Sequence, residues 1–102
     1  MVKVLRHVDF EGKKIEIRLE SGPESYTAGG FEVNLDDVIV PRTAYTISLD
    51  PNKKFIVPED GLSAHKVKVV AYKFDSGTGT WVECSDGEDL SGSKFILVVH
   101  EK

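Results

Sequence analysis

Cys84 and the three histidines are the residues whose types could support nucleophilic catalysis. A thiolate beside an imidazole is an effective nucleophile, and the pairs on offer are Cys84 with His7, His65 or His100. The sequence around them contains no nucleophile elbow and no Asn or Asp pattern that would orient an imidazole. The histidines also lie tens of residues apart, without the clustering of a zinc site. The pattern favours Cys84 as a small core residue at the end of a strand and predicts neither a catalytic residue nor a metal ligand.

Carboxylates are concentrated at Asp36-Asp37 and in residues 86–89 (DGED). The second run lacks the alternating ligands and closing Glu of an EF-hand loop, and no flanking helices are expected to hold it. We expect a solvated turn in which Asp86 and Asp89 accept hydrogen bonds from backbone amides. Paired carboxylates can hydrolyse glycosides across a cleft, but spacing along the chain does not set the distance across one. No cofactor is predicted.

Aromatic side chains offer a possible sugar-binding platform, formed by Tyr26, Tyr45, Tyr72 and Trp81. Their positions along the predicted strands fit packing in the core or between sheets better than a flat exposed platform. The histidine nearest the C-terminus, His100, is expected to be a packed or half-exposed residue of a terminal strand.

Charge argues against nucleic acid and membrane partners. Thirteen basic and seventeen acidic residues give a net charge of −4, so there is no overall positive field to attract phosphates. A local stripe of lysines is mixed with acidic residues and has only Tyr72 placed to stack on a base; its members are Lys53, Lys54, Lys66, Lys68 and Lys73. Alternating lysines on a solvated strand face commonly prevent edge pairing. No apolar run is long enough for a membrane span.

The elements that position these residues are predicted to be strands. Nineteen Val and Ile residues outnumber the twelve Leu, Ala and Met. Ile15, Ile17 and Leu19 alternate with charged residues at positions 16, 18 and 20, a period typical of a strand with its aliphatic face buried and its other face solvated. With residues 2–10 before a turn at Glu11-Gly12-Lys13, this segment predicts an N-terminal hairpin.

Further strands are predicted around residues 31–35, 45–49, 55–57, 66–71 and 81–84. Residues 38–40 are apolar on both faces, and we expect that strand to stop at Pro41, which lacks an amide donor. The last strand, Lys94 to His100, is also apolar on both faces and is expected in the middle of a sheet.

These patterns predict an all-β fold in one domain spanning residues 1–102. No window of ten or more residues has helical spacing free of Gly or Pro. Strands without covering helices must bury their apolar faces against one another, so we expect a single antiparallel β-sandwich or jelly-roll-like barrel of about eight strands. One Cys excludes an intramolecular disulfide, and the absence of Gln with nineteen Lys and Glu favours a thermostable protein.

Two segments resemble a known family. Residues 26–35 (YTAGGFEVNL) resemble an opening of the form Y-x-T-G-G followed by alternating hydrophobic residues, and residues 66–99 are similar to an ending with a D-L-S turn before the last strand. This pattern occurs in small structural proteins of tailed bacteriophages and related archaeal viruses, and the match covers residues 26–99. Glu88 stands where the family commonly has Thr.

The resemblance implies a virion component, most simply a capsid-decorating protein bound in many copies to a viral head shell. It implies a major capsid or tail protein as partner, homo-oligomerisation, and no enzymatic activity. The matching residues mark the fold. Gly29 and Gly30 allow positive φ where a loop enters a strand. We expect Asp89, Leu90 and Ser91 to form a turn in which the Asp and Ser side chains bond the local backbone and Leu90 plugs the end of the sandwich. The alternatives left open are a free carbohydrate- or calcium-binding β-sandwich module and a small enzyme.

Overall fold

The computed structural model describes residues 3–10, 13–35 and 40–101. Over these ranges the chain forms nine β-strands and no helix, which confirms the predicted all-β class. The strands are β1 (Lys3–Phe10), β2 (Lys13–Ser21), β3 (Phe31–Asn34), β4 (Pro41–Ser48), β5 (Lys53–Ile56), β6 (Leu62–Ser63), β7 (Lys66–Asp75), β8 (Thr80–Glu83) and β9 (Lys94–Glu101). The two-residue strand β6 was not predicted. Within the described ranges the chain therefore has no helix that could cross a membrane.

Two antiparallel sheets make up the sandwich. The first has the order β1-β2-β9-β4, so β9 is central, as its apolar sequence predicted. The second is built around the long strand β7, with β3 and β8 following each other along one edge and β6 and β5 along the other. The predicted N-terminal hairpin is confirmed by the pairing of β1 with β2, while its turn residues 11 and 12 lie outside the described residues.

The core lies between the sheets and is centred on aromatic rings. Phe55 and Phe95 stack with centroids 4.4 Å apart, and Phe31 meets both rings edge-on at 6.2 and 6.1 Å. Aliphatic side chains from both sheets surround them: Val33, Val67, Val69, Ala71, Leu97 and Val99. Each fully buried Val, Leu or Phe contributes about 1.5–3 kcal/mol by its transfer from water, so this apolar layer holds the sheets together.

Strand β2 faces the opposite way from the sequence prediction. Its charged residues point into the sandwich, with Glu16, Arg18 and Glu20 only 3–4% exposed, whereas the aliphatic residues between them point outward. The expected aliphatic-inward orientation is therefore wrong. The reason is local neutralisation: Arg18 donates through Nη1 to Glu16 and through Nε to Glu20, the latter at 2.9 Å. Buried charges are tolerated when they are paired and hydrogen-bonded in this way.

Strand β4 repeats this orientation. Tyr45 and Ile47 are about half exposed, while Thr46 and Ser48 point toward the core and reach β5. Thr46 Oγ1 donates to the Phe55 carbonyl, and the Phe55 amide donates to Ser48 Oγ at 2.9 Å. These two hydroxyls thus satisfy the amide and the carbonyl of Phe55. The bonds join β4 of the first sheet to β5 of the second, so the sandwich is closed along this side as in a barrel.

The prediction that a strand ends at Pro41 is also wrong. Pro41 is the first residue of β4, a position that needs no ladder donor, and Val40 is not in a strand. Positions 38 and 39 of that predicted strand lie outside the described residues.

Candidate interaction surface

The two segments that carry the family resemblance meet at one end of the sandwich. The amide of Tyr26 donates to the carbonyl of Glu88 at 2.9 Å, and the amide of Gly87 returns to the carbonyl of Tyr26 at 2.7 Å. A third backbone bond runs from the Leu90 amide to the Pro23 carbonyl at 2.8 Å. Segments about 60 residues apart in sequence therefore form one unit, called the loop clamp below and comprising residues 22–30 and 83–93.

Acidic side chains of the loop clamp are used for internal hydrogen bonds. The Glu83 carboxylate accepts from the Gly29 amide at 2.6 Å and from the Tyr26 hydroxyl at 2.7 Å, and Asp86 accepts from the Ala28 amide at 2.6 Å. The amide of Gly29 and then the hydroxyl of Tyr26 lower the pKa of Glu83. Burial raises the pKa of Tyr26 well above its usual value. The tyrosine is thus a buried neutral donor that also accepts the amide of Ala71 at 3.2 Å.

The marker glycines adopt the positive φ values expected of them, +97° at Gly29 and +120° at Gly30. A Cβ on Gly30 would lie 2.8 Å from the carbonyl oxygen of Val69, so this position also needs the space. At Gly22 a Cβ would overlap the carbonyl oxygen of Leu90. The loop clamp therefore uses glycine for both conformation and close packing.

The DLS turn forms as expected in two respects and differs in one. Leu90 is buried at the end of the sandwich, and Asp89 Oδ1 accepts from the Ser91 amide at 2.9 Å. The Ser91 hydroxyl donates to the Asp89 carboxylate at 2.7 Å rather than to the backbone. Both contacts hold the turn, and the serine hydroxyl lowers the pKa of Asp89. This geometry gives the five marker residues structural roles in the fold.

The catalytic pairs considered from the sequence do not form in the described residues. Cys84 is buried after β8, as predicted, and burial raises the pKa of its thiol, so the reactive thiolate is disfavoured. His65 lies in the turn before β7 with φ +65°, and His100 lies beside Tyr45 on the outside of the first sheet. The side chain of His7 lies outside the described part of the structure.

Metal binding also receives no support from the described ranges 3–10, 13–35 and 40–101. No group of three or more His, Cys, Asp or Glu side chains there could hold an ion. The carboxylates of residues 86–89 accept hydrogen bonds from backbone amides and form an ion pair with Lys73, whose Nζ lies 2.9 Å from Glu88 Oε1. That ion pair raises the pKa of Lys73 and lowers that of Glu88. Asp36 and Asp37 lie outside the described residues.

The four aromatics proposed as a platform are dispersed. Tyr26 is in the core, Tyr45 is on the outer face of the first sheet, and Tyr72 and Trp81 are on the second sheet. Only Tyr26 fulfils the core prediction. Lys54 Nζ lies 4.3 Å from the centroid of Trp81 and Phe74 meets this ring edge-on at 5.5 Å, which leaves no open pair of parallel rings for a sugar.

The lysine stripe is divided between the two faces of the second sheet. Lys66 and Lys68 are on the outer face of β7, and Lys66 lies 3.9 Å from Glu32, whereas Lys73 is on the alternate face beside Glu88. Because β7 is the central strand of its sheet, the expectation that the lysines guard a strand edge is wrong for Lys66, Lys68 and Lys73. Lys53 and Lys54 lie on β5, which ends the order β3-β7-β5. The arrangement is a mixed, solvated charge pattern.

The most unusual surface is the outside of the first sheet. Its described side chains form successive rows across β2, β9 and β4, and the two central rows are entirely apolar. We call these residues the outer apolar face: Ile15, Ile17, Leu19, Ile96, Val98, Tyr45, Ile47 and, just beyond β4, Leu49. The side chains on the β4 side are about half exposed, those of β2 and Ile96 are half-buried, and Val98 is buried. Its ends carry Ser21, Lys94, Thr43 and His100. No acidic side chain occurs among these described residues.

Sequence reasoning missed this surface because it placed the aliphatic residues of β2 inside. The sequence did contain a signal. Negative, positive and negative side chains alternate at Glu16, Arg18 and Glu20, so the charges on that face of the strand can pair with one another. An apolar sheet face of this extent is typical of a protein contact surface. Comparisons with protein family models, with curated proteins and with solved structures found no match to the chain.

Proposed function

We propose that this chain is a structural accessory protein of a tailed virus, bound in many copies to the head shell as a capsid-decorating protein. The observation that carries the proposal is the loop clamp. The two segments that carry the resemblance to phage structural proteins, residues 26–35 and 66–99, are hydrogen-bonded to each other through residues 26–29 and 83–88 and act as one structural unit.

The chemistry of the described residues suits binding better than catalysis. The only cysteine has a raised thiol pKa, and the carboxylates of the loop clamp are used for hydrogen bonds that hold the fold. The outer apolar face, in contrast, offers a surface for lasting contact between subunits of an assembly, including contact between copies of this chain. A decorating protein works mechanically, since many modest contacts across subunit junctions together give effectively permanent attachment.

The direct test is mass spectrometry of virus particles purified from the source of this sequence. We expect peptides of this chain at a copy number comparable with that of the major shell protein. A soluble host protein carried along as a contaminant would fall below that ratio and would disappear on a second density gradient. Absence of the chain from twice-purified particles would refute the proposal.

A further inference from the structure

The sheet that carries the outer apolar face is built to be covered on both sides. In β9, Phe95, Leu97 and Val99 are buried against the second sheet, while Ile96 and Val98 point to the other side. Strands with apolar residues on both faces are characteristic of sheets that have a layer on each face. The second sheet supplies one layer, and within the described residues no strand packs on the other.

We infer that a second copy of this chain covers the outer apolar face, so that two first sheets pack face to face in a two-fold dimer. The charge pattern supports an identical partner. The described residues of this face include no carboxylate, although the chain as a whole has a net charge of −4. Its cations lie outside the apolar rows: Lys94 is at one end, and the register places Lys3 and Arg6 on the edge strand β1. Two such faces meet through the apolar rows of β2, β9 and β4, and the cationic residues stay at the rim.

The other broad surface of the chain is a poorer match. The outside of the second sheet exposes Ile56 and Phe74 but intersperses them with Lys54, Lys68 and Glu83. Packing the outer apolar face on that surface would bury charges without partners, and it would also be a head-to-tail contact that propagates into open polymers. Self-pairing of the first sheet buries the most apolar area with the least charge and closes after two copies.

The area approaches the lower limit for a specific dimer. The three strands that carry the outer apolar face, about 4.8 Å apart and with about seven residues rising 3.3 Å each, give a face of roughly 14 by 23 Å. Two copies would therefore cover about 650 Å² in plan, and the relief of the half-exposed side chains raises this figure toward the total of roughly 1,000 Å² that a specific interface needs. Aligned sheet packing is an established geometry for such faces.

The test compares two Ile→Glu substitutions that are matched in exposure. Ile47, on the outer apolar face, is 52% exposed, and Ile56, on the second sheet, is 45% exposed. Each is solvent-accessible in the single chain, so Ile47→Glu and Ile56→Glu should both fold, which far-UV circular dichroism and thermal unfolding check. Tyr45→Lys, at a position 51% exposed, is a second variant of the opposite charge.

The readout is sedimentation equilibrium of the purified full chain over a concentration series. We expect the wild type and Ile56→Glu to sediment at twice the 11.3 kDa chain mass. Ile47→Glu and Tyr45→Lys should weaken the dimer by about 100-fold or more, because each dimer would bury two unpaired charges.

Three results would overturn the inference. They are a monomeric wild type at the highest concentration, an Ile47→Glu variant that dimerises as tightly as the wild type, and a dimer lost in Ile56→Glu but kept in Ile47→Glu. The dimer goes beyond the proposed virion role. It is measured on the isolated chain, so a failure of either leaves the other standing.

Discussion

The buried charges of β2 lead to a strong stability prediction for Arg18→Met. Arg18 lies between Glu16 and Glu20 with about 5% of its side chain exposed, and its Nη2 also donates to the Asn34 carbonyl at 3.3 Å. Methionine keeps much of the apolar stem but removes the guanidinium. Two carboxylates then remain inside the sandwich without a cation.

The expected loss of stability is large on the scale of this domain. Removing one partner of a buried ion pair costs about 3–5 kcal/mol, whereas a small domain has a total unfolding free energy of about 5–15 kcal/mol. With a urea dependence of about 1.5 kcal/mol per molar, the unfolding midpoint should fall by about 2–3 M at pH 7. The single tryptophan, Trp81, provides a fluorescence signal for the titration. The deficit should shrink as pH falls and the two carboxylates become protonated.

Two further variants make this prediction specific. Arg42→Met makes the same substitution at an exposed position of β4 and should change stability by no more than about 0.5 kcal/mol. Replacing Glu16, Arg18 and Glu20 together with methionine should recover wild-type stability or exceed it, because buried ion groups are often replaced by apolar residues at no cost. A loss below about 1 kcal/mol in Arg18→Met would mean that β2 does not turn its charges inward.

Three other substitutions and one control variant test the pH dependence of stability and the loop clamp. Burial raises the pKa of Glu20, so the contribution of this carboxyl to stability is present below about pH 4.5 and is lost as pH rises through the raised pKa. Between pH 4 and 7 the urea midpoint of Glu20→Gln should therefore fall less than that of the wild type. A profile identical to that of the wild type would contradict this prediction. The Gly29 amide lowers the pKa of Glu83, so the contribution of this carboxylate to stability is present above about pH 4.5 and is lost as pH falls through the lowered pKa. In thermal scans, Glu83→Gln should therefore lose less melting temperature on acidification than the wild type. An equal loss in both proteins would argue against the loop clamp. Gly30→Ala places a Cβ against the carbonyl oxygen of Val69 at φ +120° and should lower the free energy of unfolding by about 1–3 kcal/mol. The control Gly92→Ala, at a position with open space around it, should leave the melting temperature nearly unchanged. Equal melting temperatures of the two variants would show that position 30 is not constrained.

Much of the fold could be predicted from local patterns. The apolar run at residues 94–100 identified the central strand β9, and alternation combined with Gly and Pro breakers located β3, β5, β7 and β8. These features depend on the backbone preferences of Val, Ile and aromatic residues and on turns that few residue types allow. Both kinds of information are contained in a few adjacent residues.

The orientation of strands could not be predicted in the same way. Alternation shows that a strand has two different faces, but which one points inward depends on partners elsewhere in the chain. Arg18 is buried because Glu16 and Glu20 neutralise it. Thr46 and Ser48 are half-buried and face inward because their hydroxyls bond the backbone of Phe55. The loop clamp was only partly foreseen, since the bonds from Glu83 and Asp86 to residues 26–29 join distant segments.

In the proposed dimer, two copies of the chain associate through the outside of the first sheet. Isotope-filtered nuclear Overhauser spectra of a sample mixed from labelled and unlabelled chains would test this association most directly. The dimer predicts intermolecular contacts from the methyl groups of Ile17, Ile47 and Val98 and from the ring of Tyr45. A filtered spectrum without such contacts, or with contacts only from Ile56 and other residues of the second sheet, would contradict the claim.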